Sequence, residues 1–350
     1  MRLFIAAPDI WPGDAVGNHC MSFVRSAQRL GYEARAFAQR SAGDVSPIDE
    51  LLSADKPGGI AAEDTLLVSY SIHDPLLDQL LALPGRKLCY FHGVTSPELL
   101  REFEPVTADL CERSFEQFAQ LKKFDVLIAN SHVTAQTLTP YMSIDDVRVL
   151  PPVSADMAVF SHVPRKHEKS PDAPFEILVV GRVVPHKRIE DAIEVLAQVR
   201  ERGVNARLSI VGSAPNRTYL AFLVEHARAL GVDAHVEFRG MLDDASLFRA
   251  FDSADALLSV SQHEGFCVPV LEAMHLGLPA LVRAGTAASE VGTGAAPEFA
   301  TLDAASDALC DLHANPSRVA SLAEVGRRRA AELLAQTCDE VFGAILMASR

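Results

Sequence analysis

Short apolar runs alternate with amphipathic stretches along almost the whole of this chain. In the first half, Leu3 to Ala7, Ala34 to Ala38, Thr65 to Ser69, Lys87 to His92 and Val126 to Asn130 read as buried strands. The stretch through Phe23, Ala27 and Leu30 has the three-to-four-residue spacing of a helix, and Gly31 is placed to stop it. Helical periodicity follows the later runs as well. Strand and helix in turn predict an α/β fold, an open and mainly parallel sheet covered on both faces.

The same alternation restarts after a break. VRVL leads to Pro151 and Pro152, and the polar, proline-rich stretch from Ser154 to Pro174 has neither helical nor strand periodicity. FEILVVG then opens a second series, with a helix from about Ile189, the strand ARLSIVG, a helix from Tyr219 to Leu230, HVEFRG, a helix around Leu247 to Ala254, Ala256 to Val260, and PALVR. The pattern predicts two doubly wound domains, one over 1–160 and one over 175–330, joined by a linker over 161–174. Residues 331–350 read as a C-terminal helix that could pack back on the first domain. A pair of histidines in the linker, His162 and His167 with Glu168, has the residue types of a metal site, but nothing nearby completes a ligand set.

Composition narrows the function classes. A chain of 350 residues is large for one core, and 49% hydrophobic residues suffice to fill two. No run of eighteen apolar residues occurs, so no membrane span is expected. MRLFIAAPDI lacks the length and cleavage region of a signal peptide and reads as a first strand. The six cysteines are scattered without a zinc or redox spacing, as in a reducing compartment. A net charge of −14 argues against nucleic acid as a general partner. The expected location is the cytoplasm, with at most peripheral contact with the inner face of the membrane. Lys122 and Lys123 are most simply a solvated face.

Candidate chemistry gathers at strand ends, where open parallel sheets bind ligands. SVSQHEGFCVPVLEAM reads as a strand, a turn with His263, Glu264 and Gly265, and a helix opened by Pro269. Glu264 then lies just past a strand end and Glu272 about one turn inside the helix, so both can face one crevice. Carboxylates there can accept hydrogen bonds from sugar or ribose hydroxyls, and the N–H groups of Gly265, Phe266 and Cys267 can donate to a ligand oxygen. A solvated loop residue and an exposed helix residue are the plainer readings of these glutamates taken alone. Arg182 and Lys187 flank another strand-to-helix loop, where two cations and a helix N-terminus would suit a diphosphate; surface ion pairs are the alternative. His92 ends a strand and could hydrogen-bond a sugar hydroxyl or simply be satisfied by backbone. Gly13, Gly17 and Asn18 in DIWPGDAVGNH could bring amides to an anion, although this is not a G-x-G-x-x-G fingerprint and a plain surface loop is the simpler reading. Asn130 and Ser131 fit helix capping.

Taken together, GDAVGNH, YFHGVTSPE, GRVVPHKR and HEGFCVPVLEAM occur in the order found in retaining glycosyltransferases of family four, which the chain resembles over nearly its whole length. The resemblance implies the GT-B architecture, two Rossmann-like domains facing a cleft. It implies that Arg182 and Lys187 neutralise the donor diphosphate, that Glu272 holds the ribose hydroxyls, and that Glu264 with Gly265, Phe266 and Cys267 surrounds the donor sugar. His92 matches a residue beside the sugar near the reacting carbon. Gly17 and Asn18 fall in a loop near the phosphates and acceptor, and Gly240 with Met241 and Leu242 where the base is held. Glu290 is a weaker match. Many relatives carry adjacent glycines where this chain has Gly17-Asn18. No D-x-D occurs, in keeping with a family that needs no bound metal.

The expected activity is metal-independent hexosyl transfer, with retention, from a nucleoside-diphosphate sugar to a hydroxyl of a saccharide or glycolipid, in surface polysaccharide assembly. The nucleotide sugar is a substrate and no cofactor is expected. Negative charge grows on the diphosphate as the glycosidic bond breaks, and cations fixed beforehand stabilise it. No carboxylate is an obvious covalent nucleophile, which favours a front-face route. Rival readings are a GT-B sugar-nucleotide epimerase or hydrolase, a non-catalytic sugar-nucleotide binder and, least in keeping with the missing glycine fingerprint, a nicotinamide dehydrogenase.

Overall fold

The computed structural model describes residues 1–53, 59–152, 158–163 and 173–348. Most of the expected linker, with His167 and Glu168, lies outside the described residues. The chain divides into two compact units. One takes the chain to Pro97, the described residues from Val106 to Pro152 and the tail from Leu334; the other takes Glu98–Pro105 and the described chain from Ala158 to Leu333.

In chain order the first unit holds β1 (Arg2–Ile10), α1 (Ala15–Arg29), β2 (Glu33–Ser41), β3 (Ser46–Pro47), α2 (Ile48–Leu52), β4 (Thr65–Tyr70) and α3 (Leu77–Ala82). β5 (Arg86–Phe91), α4 (Pro105–Gln117), β6 (Val126–Ala129), α5 (His132–Gln136) and β7 (Val147–Val149) follow. The strands form one parallel sheet in the order β3-β2-β1-β4-β5-β6-β7. The central strands are largely apolar, Leu3, Ile5, Leu67, Leu88, Tyr90 and Ile128 joining one core with Phe23 and Ala27 of α1, while β2 keeps Glu33, Arg35, Gln39 and Arg40 exposed.

The second unit holds β8 (Phe175–Val180), α6 (Ile189–Glu201), β9 (Ala206–Val211), α7 (Arg217–Ala229), β10 (Val236–Gly240), α8 (Asp244–Ser253), β11 (Ala256–Ser259) and α9 (Val268–Leu276). β12 (Ala280–Arg283), α10 (Ala287–Val291), β13 (Glu298–Phe299), α11 (Leu302–Ala314) and α12 (Pro316–Ala335) complete it. Its sheet is also parallel, in the order β10-β9-β8-β11-β12-β13. The order reverses between β8 and β11, since β8 leads to one side and β11 to the other. Both sheets are therefore doubly wound, as the alternation predicted.

One segment sits in the unit its sequence position does not suggest, and the C-terminal helix sits with the first unit. Residues 98–105 fall within the stretch expected to be first domain, yet group with the second: the Phe103 ring lies 5.1 Å from Tyr219 and 5.3 Å from Phe222, and Asn216 Nδ2 donates to its carbonyl at 2.8 Å. The last helix, α13 (Asp339–Met347), packs in the first unit. Phe342 and Leu346 enter that core, with Phe342 4.8 Å from Phe23. Asp339 receives Arg29 Nε at 2.6 Å and Ser26 Oγ at 2.7 Å, and Arg86 donates to the carbonyls of Ile345 and Leu346 at 3.2 and 2.5 Å. None of the six cysteines is in a disulfide.

Candidate active site

Parallel strands end with their carbonyls and following loops on one rim of the sheet, and where the strand order reverses the two loops diverge and leave a crevice. In the second unit that point is β8–β11. A narrow pocket lies there, lined among others by Arg182, Lys187, Ser261, Glu264, Cys267 and Pro269. The loop after β8 and the loop after β11 are joined by backbone, Gln262 N–H donating to the His186 carbonyl at 3.0 Å.

Lys187 Nζ reaches both carboxylate oxygens of Glu264, at 2.6 and 2.7 Å. The pair is nearly enclosed, with the Lys187 side chain 18% and the Glu264 side chain 9% exposed. Burial alone would drive both groups toward neutrality, but each charge overrides that for the other, so the Lys187 pKa is raised and that of Glu264 lowered. Ser261 gives Glu264 a further hydrogen bond. Lys187 lies against Gly181, whose φ of 147° is a conformation that belongs to glycine. His186 and His263 have their rings 6.1 Å apart. Burial and then Lys187 hold the His186 pKa well below its usual value, and burial lowers that of His263. Both are neutral neighbours of the ion pair.

Two residues other than glycine have positive φ among the described residues, Arg188 at 54° and Cys267 at 78°. Each is the residue that opens the helix after a pocket strand, α6 and α9 respectively. Left-handed backbone costs an L-residue on the order of 1–3 kcal/mol and persists where the surroundings fix it. For Arg188 those surroundings are visible: its guanidinium pairs with Glu190 at 2.8 Å and Asp191 at 2.8 Å, and Asp191 also receives Arg283 from the end of β12. Arg283 Nε donates to the Val260 carbonyl at 2.8 Å, so one side chain binds both pocket loops to the third strand. Tyr219 hydroxyl bonds Glu190 and accepts from Ile189 N–H at 3.1 Å.

Neither pocket helix has a side-chain cap, but α6 carries Glu190 and Asp191 in its first turn, both paired with Arg188, whereas α9, which begins after Cys267, has no acidic residue there. Its field therefore favours an anion in the pocket.

The remaining expected residues take other places. Glu272 is one turn inside α9 as expected, but buried at 5% exposure and absent from the pocket lining; burial, and then Asp244, raise its pKa to about 7. Gly265 is half-buried and Phe266 buried, beside Cys267 whose thiol burial pushes up to about 12. Met241, 69% exposed, and half-buried Leu242 follow β10 at the sheet edge, two strands from β8 and so about 10 Å along the same rim. Arg182 is exposed at the pocket mouth.

In the first unit, Gly17 and Asn18 are not in a loop. Asp14 caps α1 by accepting from Val16 and Gly17 N–H at 3.1 and 3.3 Å, which puts both residues in the first turns of the helix. Gly17 is pressed on the Trp11 backbone, where a Cβ would stand 2.3 Å from the carbonyl oxygen, and Asn18 Oδ1 accepts from Gly13 N–H at 3.1 Å. Gly17 is thus required for packing. His92 follows β5, half-buried, its Nε2 2.7 Å from Ser69 Oγ, and burial lowers its pKa to about 3. Ser131 caps α5 through Thr134 N–H at 3.1 Å. His162 meets Asp252 at 3.1 Å rather than a ligand set, and among the described residues no group of three or more His, Cys, Asp or Glu is placed to hold a metal. No helix among the described residues is long and apolar enough to cross a membrane.

Sequence reasoning missed Ser261, Cys267 as a left-handed residue, and Arg283 with Asp191. The first two carry no pattern signal, and the last pair is 92 residues apart.

Comparison with known proteins is consistent with this geometry. Residues 163–327 match the family model described as glycosyl transferases group 1. The chain is 28% identical over 224 residues to the putative colanic acid biosynthesis glycosyltransferase WcaL of Salmonella typhimurium, covering 60% of this chain and 52% of that protein. It is 28% identical over 216 residues to a GDP-mannose-dependent phosphatidylinositol dimannoside mannosyltransferase of Mycobacterium tuberculosis, covering 58% and 54%. The chain thus spans about half the length of the curated relatives it matches. Among solved structures, WaaG, a glycosyltransferase involved in lipopolysaccharide biosynthesis, matches with a TM-score of 0.75 at 16% identity over 99% of this chain and all of the other. Sucrose-phosphate synthase of Thermosynechococcus elongatus matches with 0.76 at 16% over the whole of both chains. The fold is two Rossmann-like units of the GT-B type.

Proposed function

We propose that this chain is a glycosyltransferase of the retaining, metal-independent kind, which moves a sugar from a nucleoside diphosphate to a hydroxyl of a saccharide or glycolipid. The observation that carries the reading is the second unit's pocket, where Lys187, held by Glu264, and Arg182 stand beside the uncapped start of α9 at the strand-order reversal. A leaving diphosphate gains negative charge in the transition state, and donors already in place stabilise it without reorganising. Arg182 supplies that charge, Lys187, its charge shared with Glu264, donates a hydrogen bond, α9 adds its field, and the diphosphate serves as base for the incoming hydroxyl on the same face. Glu264 is a poor nucleophile while both its oxygens engage Lys187, so a covalent glycosyl-enzyme is not part of the scheme. Glu272 accepts from the ribose hydroxyls. The relatives named for colanic acid and lipopolysaccharide assembly, and one named for GDP-mannose, support a nucleotide-sugar donor and a role in surface polysaccharide assembly.

The test is a thermal-shift screen of UDP-, GDP-, ADP- and TDP-sugars, followed by NMR of the product formed from the donor that stabilises. A retained anomeric configuration, an undiminished rate in EDTA and a loss of turnover on the order of 10² in Lys187→Ala are expected. An adduct trapped on Glu264, or release of free sugar or epimer with no transfer to any acceptor, would sink the proposal.

A further inference from the structure

The first unit has a reversal point of its own, between β1 and β4, and a second pocket opens at the carboxyl ends of those strands. Its cavity volume is about 260 Å³, just under the roughly 300–1,000 Å³ of small-molecule sites. Its charged lining is two guanidinium groups, Arg40 and Arg113, against one carboxylate, Asp9, and His73 stands between them. The rest of the wall is mainly apolar, with Ile72 and Leu110 among it. In a chain of net charge −14 this excess of positive charge stands out.

The two arginines are in different states. Arg40, at the end of β2, meets its register neighbour Asp9 through two bonds of 2.7 Å, and is largely neutralised. Arg113, exposed on α4, meets no carboxylate among the described residues; its Nη2 donates to His73 Nε2 at 3.3 Å. A guanidinium has no lone pair to offer, so Nε2 is the acceptor and the His73 proton sits on Nδ1. Burial, and then Arg113, lower the His73 pKa against the opposing pull of Glu116, so the imidazole is neutral and leaves the Arg113 charge unspent.

The walls are fixed by a buried carboxylate. Asp74, 1% exposed, receives Gln39 Nε2 from β2 at 3.1 Å, its carbonyl receives Gln117 Nε2 from α4 at 2.7 Å, and its N–H donates to Gln117 Oε1 at 3.0 Å. β2, the turn after β4 and α4 are thereby held in register, so Arg113, His73 and Arg40 face a preorganised space. From this arrangement we infer that the pocket is a subsite for an acidic group, a carboxylate or a phosphate ester, on the acceptor saccharide, with Arg113 as its planar two-toothed donor. The inference rests on the transferase reading only for the word acceptor; the anion site stands on the first unit alone.

Ligand-observed NMR titration of the full chain with methyl glucuronide, glucose 6-phosphate and methyl glucoside tests it. At least one acidic probe should bind about tenfold or more tightly than the neutral glycoside, and which one does so separates carboxylate from phosphate ester. Arg113→Gln, an exposed change that leaves the Asp74 bonds intact, should bring the acidic probes to the neutral level. Arg40→Gln should weaken them less. Lys187→Ala should preserve the preference, which separates this site from the pocket of the second unit, and nucleotide binding measured in parallel tests the transferase reading independently. Equal binding of all three probes, no binding by any, or an acid preference that survives Arg113→Gln would overturn it.

Discussion

Among single residues, Glu272 combines a carboxyl pKa raised to about 7 by burial with a proposed ligand contact. Its pKa near 7 means the folded chain keeps a proton that the unfolded chain would release, since the ordinary value is 4.5. Stability from this group is therefore complete below about pH 4.5 and is lost as pH rises toward 7, by on the order of a few kcal/mol. Glu272→Gln should leave urea stability unchanged at pH 5 and raise it at pH 8. If ribose hydroxyls donate to the carboxylate, ligand binding favours the ionised form and expels a proton, so calorimetry should find tighter nucleotide binding at pH 8 than at pH 6, and Glu272→Gln should flatten that dependence. His92 offers the opposite forecast: with its pKa near 3, its ring resonances should not titrate between pH 5 and 8, and a midpoint near 6.5 would remove it from a neutral, buried role. Lys187→Met should destabilise by on the order of 3 kcal/mol because it strands the Glu264 charge, and Lys187→Met with Glu264→Gln should recover much of that loss in denaturant titrations. The polar types at these positions were readable in the sequence because each follows an apolar run. Their pairing was not: Lys187 and Glu264 are 77 residues apart, and only the adjacency of β8 and β11 brings them together.

Strands and helices were legible where an apolar period ended in glycine or a cap, as at Gly31 and Ser131. The two-residue strands β3 and β13 were not, because two residues cannot establish a period. Gly17 and Asn18 were placed in a loop on the strength of the resemblance; the Asp14 cap and the tight approach to Trp11 put them in the first turns of α1 instead. At this level the loops after β8, β11 and β12 behave as one device, with Arg283 joining all three through Asp191 and the Val260 carbonyl. Arg283→Met should lower nucleotide affinity or turnover about tenfold, although Arg283 is placed in no ligand contact, and a strictly local effect on thermal stability with unchanged kinetics would limit it to packing. Cys267 tests the strain beside it: Cys267→Val puts a β-branched residue at φ 78° and should cost about 1–3 kcal/mol, more than Cys267→Ala, in paired melting curves.

For the molecule as a whole, the repeated strand-helix alternation foretold two doubly wound units, and a C-terminal helix that could return to the first was expected, which α13 does through Phe342. That residues 98–105 join the second unit through Phe103 could not be read from local pattern, because the contact depends on which surfaces meet in three dimensions. Phe342→Ala should cost about 3–5 kcal/mol and act on the first unit, to be followed by hydrogen exchange in β1 and α1. Because α13 is made after every residue of the second unit, a nascent chain on the ribosome has its latter half ready to fold while the core around Phe23 still lacks a wall. Synthesis thus closes the earlier unit last, and a chain halted before Phe342 would carry one finished sheet and one left open to chaperones and proteases.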